Sequence, residues 1–165
     1  MSDAYVECLV KAKTSIAAKL LKGLLILAAV FCCFLMLYIG IIGLILMLIA
    51  SAGAYFVNLF TDLEYEYLYL DKELVVDKVM AKSRRKRIAS YSLDKVEILA
   101  PIRSYRLDNY KNRTAKVKDF SVGEELKPDL RYVMFYEGGE KIILSPSPEL
   151  IKLMKNVAPR KIFSD

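Results

Sequence analysis

Histidine is absent from the 165 residues. With it go imidazole general acid–base catalysis, His-activated nucleophiles and His metal ligands. Cysteine is scarce: only Cys8, Cys32 and Cys33 occur. The last two lie in an apolar run and read as helix filler, so neither a disulfide framework nor a zinc site can be built in residues 61–165. Glycine is thin as well, seven residues. None of them forms a phosphate-cradling loop, and Gly138-Gly139 reads as a turn. Glu124-Glu125 is an adjacent pair in a loop, which gives no basis for acid–base chemistry. The sequence therefore predicts no catalytic residue, no metal ligand and no cofactor, and the expectation is a protein that is not an enzyme.

The longest absence is of charge. From Leu24 to Phe60 there is no Asp, Glu, Lys or Arg. As one helix this run would extend roughly 55 Å at about 1.5 Å per residue, against a hydrocarbon core of about 30 Å. Two spans folded back on each other fit, roughly 20–37 and 43–60, with the turn near Tyr38-Ile39-Gly40-Ile41-Ile42-Gly43. A signal peptide is excluded by Asp3, Glu7 and the length of the run. A transporter or channel is disfavoured because no ionisable group lies within the spans beyond Lys22 at the edge. Lys11, Lys13, Lys19 and Lys22 precede the spans and a basic run follows them. The positive-inside rule then puts both ends in the cytoplasm of a multi-pass cell-membrane protein, the N-terminal lysines carrying more of the argument. Ala50-Ser51-Ala52-Gly53-Ala54 offers a small-residue surface for the first span, and leaves a homo-oligomer contact open. Residues 1–19 are expected to be an N-terminal interfacial, amphipathic segment, helical over 3–19 and either separate from or continuous with the first span: Tyr5, Val6, Leu9, Val10, Ile16 and Leu20 recur near helical spacing, with lysines between them that can snorkel to headgroups.

Beyond the spans the pattern changes to that of strands, and residues 61–165 are expected to be one cytoplasmic domain. Tyr65, Tyr67 and Tyr69 form one strand face, which reads as core rather than as a ligand groove. Asp71-Lys72-Glu73 is a tight turn into residues 74–80. Residues 81–83 turn into 85–91, and Leu93-Asp94-Lys95 turns into 96–100, ended by Pro101. Residues 102–113 read as a long loop, 115–120 as a short strand and 121–129 as a loop. Strands 130–136 and 141–144 flank the hairpin signal Glu137-Gly138-Gly139-Glu140. Ser147 is the expected N-cap of a helix with Pro148 at its first position and an apolar face of Leu150, Ile151, Leu153, Met154 and Val157, stopped by Pro159. Seven strands and a closing helix make an α+β architecture, since a helix over one end of a curled sheet buries what the sheet cannot.

That order resembles the pleckstrin-homology (PH) superfold, and in particular the bacterial membrane-attached PH-like domains. There, spans precede a segment like Tyr67-Leu-Tyr-Leu-Asp-Lys-Glu-Leu-Val-Val-Asp77, a basic hairpin and a Ser-Leu-Asp-Lys-Val turn as at 92–96. The chain is also similar to a family of small two-span Firmicute proteins built around a domain of unknown function. The matching segments are Tyr5-Val-Glu-Cys-Leu-Val-Lys11, Glu64-Tyr-Glu-Tyr-Leu68, Asp77 to Arg87, Glu97-Ile-Leu-Ala-Pro101, Asp108-Asn-Tyr-Lys111 and Ala158-Pro-Arg-Lys161. The resemblance implies an N-terminal transmembrane α-hairpin followed by a seven-strand PH-like β-roll capped by a helix. PH domains that hold phosphoinositides usually carry basic residues in the first strand–strand loop. Here that loop is Asp71-Lys72-Glu73, net negative, which argues against such a pocket.

Two segments carry candidate contacts. Lys82, Arg84, Arg85, Lys86 and Arg87 put five cations within six residues, a field that favours phosphate or anionic lipid. On a strand Arg85 and Arg87 diverge from Arg84 and Lys86. The second segment interleaves Arg103, Arg106, Lys111 and Arg113 with Tyr105 and Tyr110, residue types that stack, neutralise phosphate or sit at a membrane interface. The expected partners are the bilayer itself and anionic headgroups or an acidic protein, with nucleic acid disfavoured. The expected function is a membrane-anchored, non-catalytic binding or scaffold module at the inner surface. The alternative is a non-catalytic subunit of a larger membrane assembly held by its hairpin.

Overall fold

The computed structural model describes residues 6–12, 16–122 and 129–164, with the backbone alone at Phe60. Tyr5, Lys13, Glu124, Glu125 and most of the expected 121–129 loop, with its Gly123 and Pro128, lie outside the described residues. The chain divides into a helical unit, Thr14–Leu63 with Met80–Arg84, and a β unit, Met1–Lys13 with Glu64–Val79 and Arg85–Asp165.

In the helical unit α1 runs over Ile16–Ile39 and α2 over Ile41–Thr61. Both are long and apolar enough to cross a membrane. No α1 residue is buried, and large apolar side chains such as Leu27, Phe31 and Phe34 stand 63–69% exposed. A helix from the core of a soluble protein would bury that surface, so the natural solvent for it is lipid. The turn falls where the glycine signal put it. Gly40 has φ +64°, ψ −127°, a region closed to side-chain-bearing residues. Of the two α2 glycines, Gly43 meets α1 far more tightly than Gly53 of the small-residue stripe. A Cβ on Gly43 would lie 2.5 Å from the Met36 Cα, while one on Gly53 meets only Leu25 at 3.7 Å. Lys22 Nζ donates to Asn58 Oδ1 at 2.6 Å between the helices.

The β unit holds two four-stranded sheets. The first has the order β1 (Val6–Lys11), β2 (Leu63–Leu70), β3 (Glu73–Met80), β4 (Arg84–Ser92). The second has β5 (Val96–Pro101), β7 (Tyr132–Tyr136), β8 (Glu140–Leu144) and β6 (Lys116–Asp119), β6 and β8 being parallel. All seven strands expected after the spans are present. The eighth, β1, overturns the expected interfacial helix. Val6–Lys11 is extended and antiparallel to β2, with Val6 opposite Tyr69 and Lys11 opposite Glu64. Val10 is buried, and Val6 and Cys8 pack on the core: alternation at Val6, Cys8 and Val10 buries one strand face, which outweighs the weaker helical spacing. The compact unit is accordingly not residues 61–165 alone, because it includes the segment before the spans.

The turns follow their residues. Asp71 and Lys72 take φ +49° and +65°, the left-handed pair of a two-residue type I′ hairpin. Gly138 and Gly139, in the three-residue connection between Tyr136 and Glu140, also take positive φ, +92° and +80°. Helix α3 (Pro148–Val157) starts as expected: the Ser147 hydroxyl accepts from Leu150 N–H and Pro148 occupies the first turn. Leu150, Ile151 and Met154 are buried on the core with Tyr67, Leu99 and Ile142. The Tyr67 phenol is fully buried and locks the two sheets, donating to the Phe120 carbonyl at 2.6 Å and accepting from Ser145 N–H at 3.2 Å.

Candidate functional site

The six-residue basic run separates into two sets by what lies beneath it. Arg85 Nη2 is 2.8 Å from Glu66 Oε1, and Arg87 Nε is 3.7 Å from Asp77 Oδ1. Glu66 is fully buried and Asp77 nearly so. Arg85 donates to the buried Glu66 carboxyl, and the nearly buried Asp77 carboxylate, taken out of water, draws Arg87 as its cationic partner, so both arginines are engaged by the fold. The alternation expected along the strand is what sorts them: Arg84 and Lys86 are exposed and, with Lys82, make no ion pair among the described residues.

Burial raises the Glu66 carboxyl to about 7. A hydrogen bond shared with Glu7 and the charges of Glu7 and Asp77 add to this, while Arg85 pulls the other way. The folded state therefore holds a proton that the unfolded chain releases near 4.5. Stability from this group is complete at low pH and is lost as pH rises from about 4.5 through about 7. Replacement by an uncharged isostere, Glu66→Gln, is expected to match wild type at the acid end and to exceed it above neutrality, by on the order of 3 kcal/mol. Urea unfolding of both proteins across that range measures the divergence. Parallel profiles would show that Glu66 is ionised throughout.

Two of the free cations, Lys82 and Arg84, are held at one end of the spans. The turn Met80–Arg84 belongs to the helical unit, where Ala81 N–H donates to the carbonyl of Asp62, the C-cap of α2, at 2.8 Å. Lys82, in a left-handed conformation at φ +55°, and Arg84 thereby sit at the carbonyl end of α2, the end whose dipole favours cations. Lys19 and Lys22, in the first two turns of α1, lie on the same unit. Lys82 and Arg84, some twenty residues after the spans in sequence, are thus brought back to the end of α2.

The second candidate segment is not an open loop. Tyr105–Tyr110 winds into a 3-10 helix, with Ser104 capping it by accepting from Arg106 N–H at 3.3 Å. Leu107 is buried and the Tyr110 ring lies 4.8 Å from that of Phe135, both within a second core cluster. Arg106 covers the Phe163 ring at 4.1 Å, Lys111 pairs with Asp108 at 2.6 Å and Arg113 pairs with Glu97. Arg103 reaches Asp129 at 3.9 Å, and that carboxyl is held at about 2, chiefly by its hydrogen bonds with Arg131. Arg103, Tyr105 and Lys111 extend well into solvent, and no described contact joins this segment to Lys82–Arg87. The sequence reading missed the Glu66–Asp77 pair. Its one visible trace was the alternation of Glu64 and Glu66 with tyrosines, which tells the face but not that the face is covered.

Two four-stranded sheets closed by a C-terminal helix are the framework of a PH-like domain, a class that is generally non-catalytic. The chain belongs to the bacterial PH-like domain family DUF6106, whose model matches residues 2–164. No curated protein and no solved structure matches it.

Proposed function

We propose that this protein is a membrane-anchored binding module, not an enzyme, whose helical hairpin spans the cell membrane twice with both termini and the β unit on the cytoplasmic side. Lys82 and Arg84, with Lys19 and Lys22, meet anionic headgroups of the inner leaflet. The observation that carries the reading is the Ala81–Asp62 hydrogen bond, which ties the cationic turn to the end of a span. Each Lys or Arg near such a surface contributes about 1 kcal/mol, within a Debye length. Arg85 and Arg87 stay out of this surface, because the buried carboxyl groups of Glu66 and Asp77 hold them. The test is the lipid shell of the full chain reconstituted in mixed bilayers. Phosphatidylglycerol is expected to be enriched over phosphatidylcholine, and Lys82→Glu/Arg84→Glu to lose most of the enrichment. A shell unchanged by the double reversal assigns these cations to solubility alone.

A further inference from the structure

Strand β1 ends the first sheet: it pairs with β2 on one side, and among the described residues no strand pairs with its other side. An edge strand presents a row of backbone N–H and C=O groups outward, and proteins usually cover or blunt it. Here the edge opens instead onto a cavity of about 800 Å³ within the β unit, between β1, the start of α3 and the loop before it. Leu9, Leu130, Tyr132 and Ile151 supply its apolar wall. Leu9 and Leu130 are 53% and 55% exposed, a cost that a free surface has no reason to carry at both flanks of one groove.

The rim is of one sign. Lys11 on β1 and Lys152 and Lys155 on α3 line the cavity, and among the described residues no carboxylate lines it with them. Lys152 and Lys155 are exposed neighbours at i, i+3 on one helix face. Lys155 donates to the Ser164 hydroxyl at 3.0 Å. Among the described residues none of the three has an acidic partner within salt-bridge distance.

An acyl chain would fill the apolar wall but leave the strand edge unsatisfied. A folded surface would meet the rim but not reach the edge. An extended polypeptide does both: its backbone continues the ladder, alternate side chains enter the groove, and the others point to the rim. The six residues of β1 offer an edge roughly 20 Å long at about 3.3 Å per residue. We propose that the groove between β1 and α3 docks an extended acidic segment of a partner protein, which adds to β1 as a further strand, its alternate apolar residues entering the groove against Val10 and Ile151 and its intervening carboxylates beside Lys11 on the opposite face, with Lys152 and Lys155 at the rim.

The proposal is independent of the headgroup contact, and its test uses the full chain in neutral nanodiscs, where that contact is silent. A random decapeptide library displayed on phage is selected against it, and the recovered sequences are made as free peptides. Acidic sequences with apolar residues at every second position are expected. Lys152→Glu/Lys155→Glu is expected to weaken them at least about tenfold, as reversal of rim charges does, while leaving the thermal melt in place. N-methylation of one alternate set of peptide amides is expected to abolish binding and that of the other set to be tolerated, which a side-chain pocket would not produce. Recovery of no binder, or of sequences without acid, overturns the proposal, as does binding indifferent to the double reversal. Competition for the groove by decanoate alone, or dimerisation of the chain through β1 in place of peptide binding, also overturns it by naming a different occupant.

Discussion

Residues 61–165 expressed alone are expected not to fold cooperatively, and the same segment with residues 6–12 fused through a flexible linker is expected to recover a sharp unfolding transition. The reason is β1. It closes the exposed edge of β2 along a six-residue register, and it buries Val10 while Val6 and Cys8 pack on the core that Tyr67, Leu99 and Met154 share. Losing a buried Val contributes about 1.5–3 kcal/mol. Each ladder hydrogen bond adds about 0.5–1.5 kcal/mol. The sum reaches the whole stability of an ordinary domain, about 5–15 kcal/mol. Urea unfolding followed by far-UV circular dichroism separates the two proteins. A cooperative transition in 61–165 alone, with the midpoint of the fused form, would mean that β1 is an accessory to the unit.

Gly43→Val is expected to open the helical hairpin. A Cβ at Gly43 would stand 2.5 Å from the Met36 Cα, 2.6 Å from its N and 3.1 Å from the Leu35 carbonyl carbon. These are backbone atoms, so no rotamer change relieves the clash and the helices must part. Overpacking that side chains can absorb costs about 1–3 kcal/mol, and this one should exceed it. The measurement is disulfide formation between Leu25→Cys and Gly53→Cys, whose parent side chain and ideal Cβ are 3.7 Å apart, in a background with Cys8, Cys32 and Cys33 replaced by Ser. Crosslinking should be rapid with Gly43 and should drop at least about tenfold with Val, the factor that each 1.4 kcal/mol sets. Gly23→Val, with nothing within 4 Å of the added carbon, is the control and should leave crosslinking unchanged. Equal rates in all three would place the close approach elsewhere.

What sequence could tell follows from how local each signal is. The span pair rests on a charge-free run, the turn at Gly40 on one permissive residue, and the start of α3 on Ser147 and Pro148. All three are readable within a few positions, and the structure agrees with each. Strand β1 is of a different kind. Its partner Leu63–Leu70 lies on the far side of two spans, and Leu9 beside Val10 gives the segment a helical look that only the pairing overrides. The basic run shows the same division. Its alternation was legible, and it correctly split Arg85 and Arg87 from Arg84 and Lys86. The buried carboxyl groups that capture the first pair, and the backbone bond that returns Lys82 to the end of α2, are long-range and leave no local mark. Tyr110 and Leu107 were read as loop residues because their burial depends on Phe135 and Val133, which come from strand β7.

The central claim is that the cationic turn at the end of α2 meets an anionic leaflet. Electron spin resonance of the full chain in bilayers of phosphatidylcholine with spin-labelled phosphatidylglycerol or spin-labelled phosphatidylcholine reports the motionally restricted lipid of each kind. The measurement is made at about 0.01 M and about 0.15 M ionic strength, where the screening length falls from about 30 to about 8 Å. The account predicts a several-fold preference for phosphatidylglycerol that weakens with salt and largely disappears in Lys82→Glu/Arg84→Glu. Equal restriction of the two lipids in the wild-type chain, or a preference that the double reversal leaves intact, would contradict it.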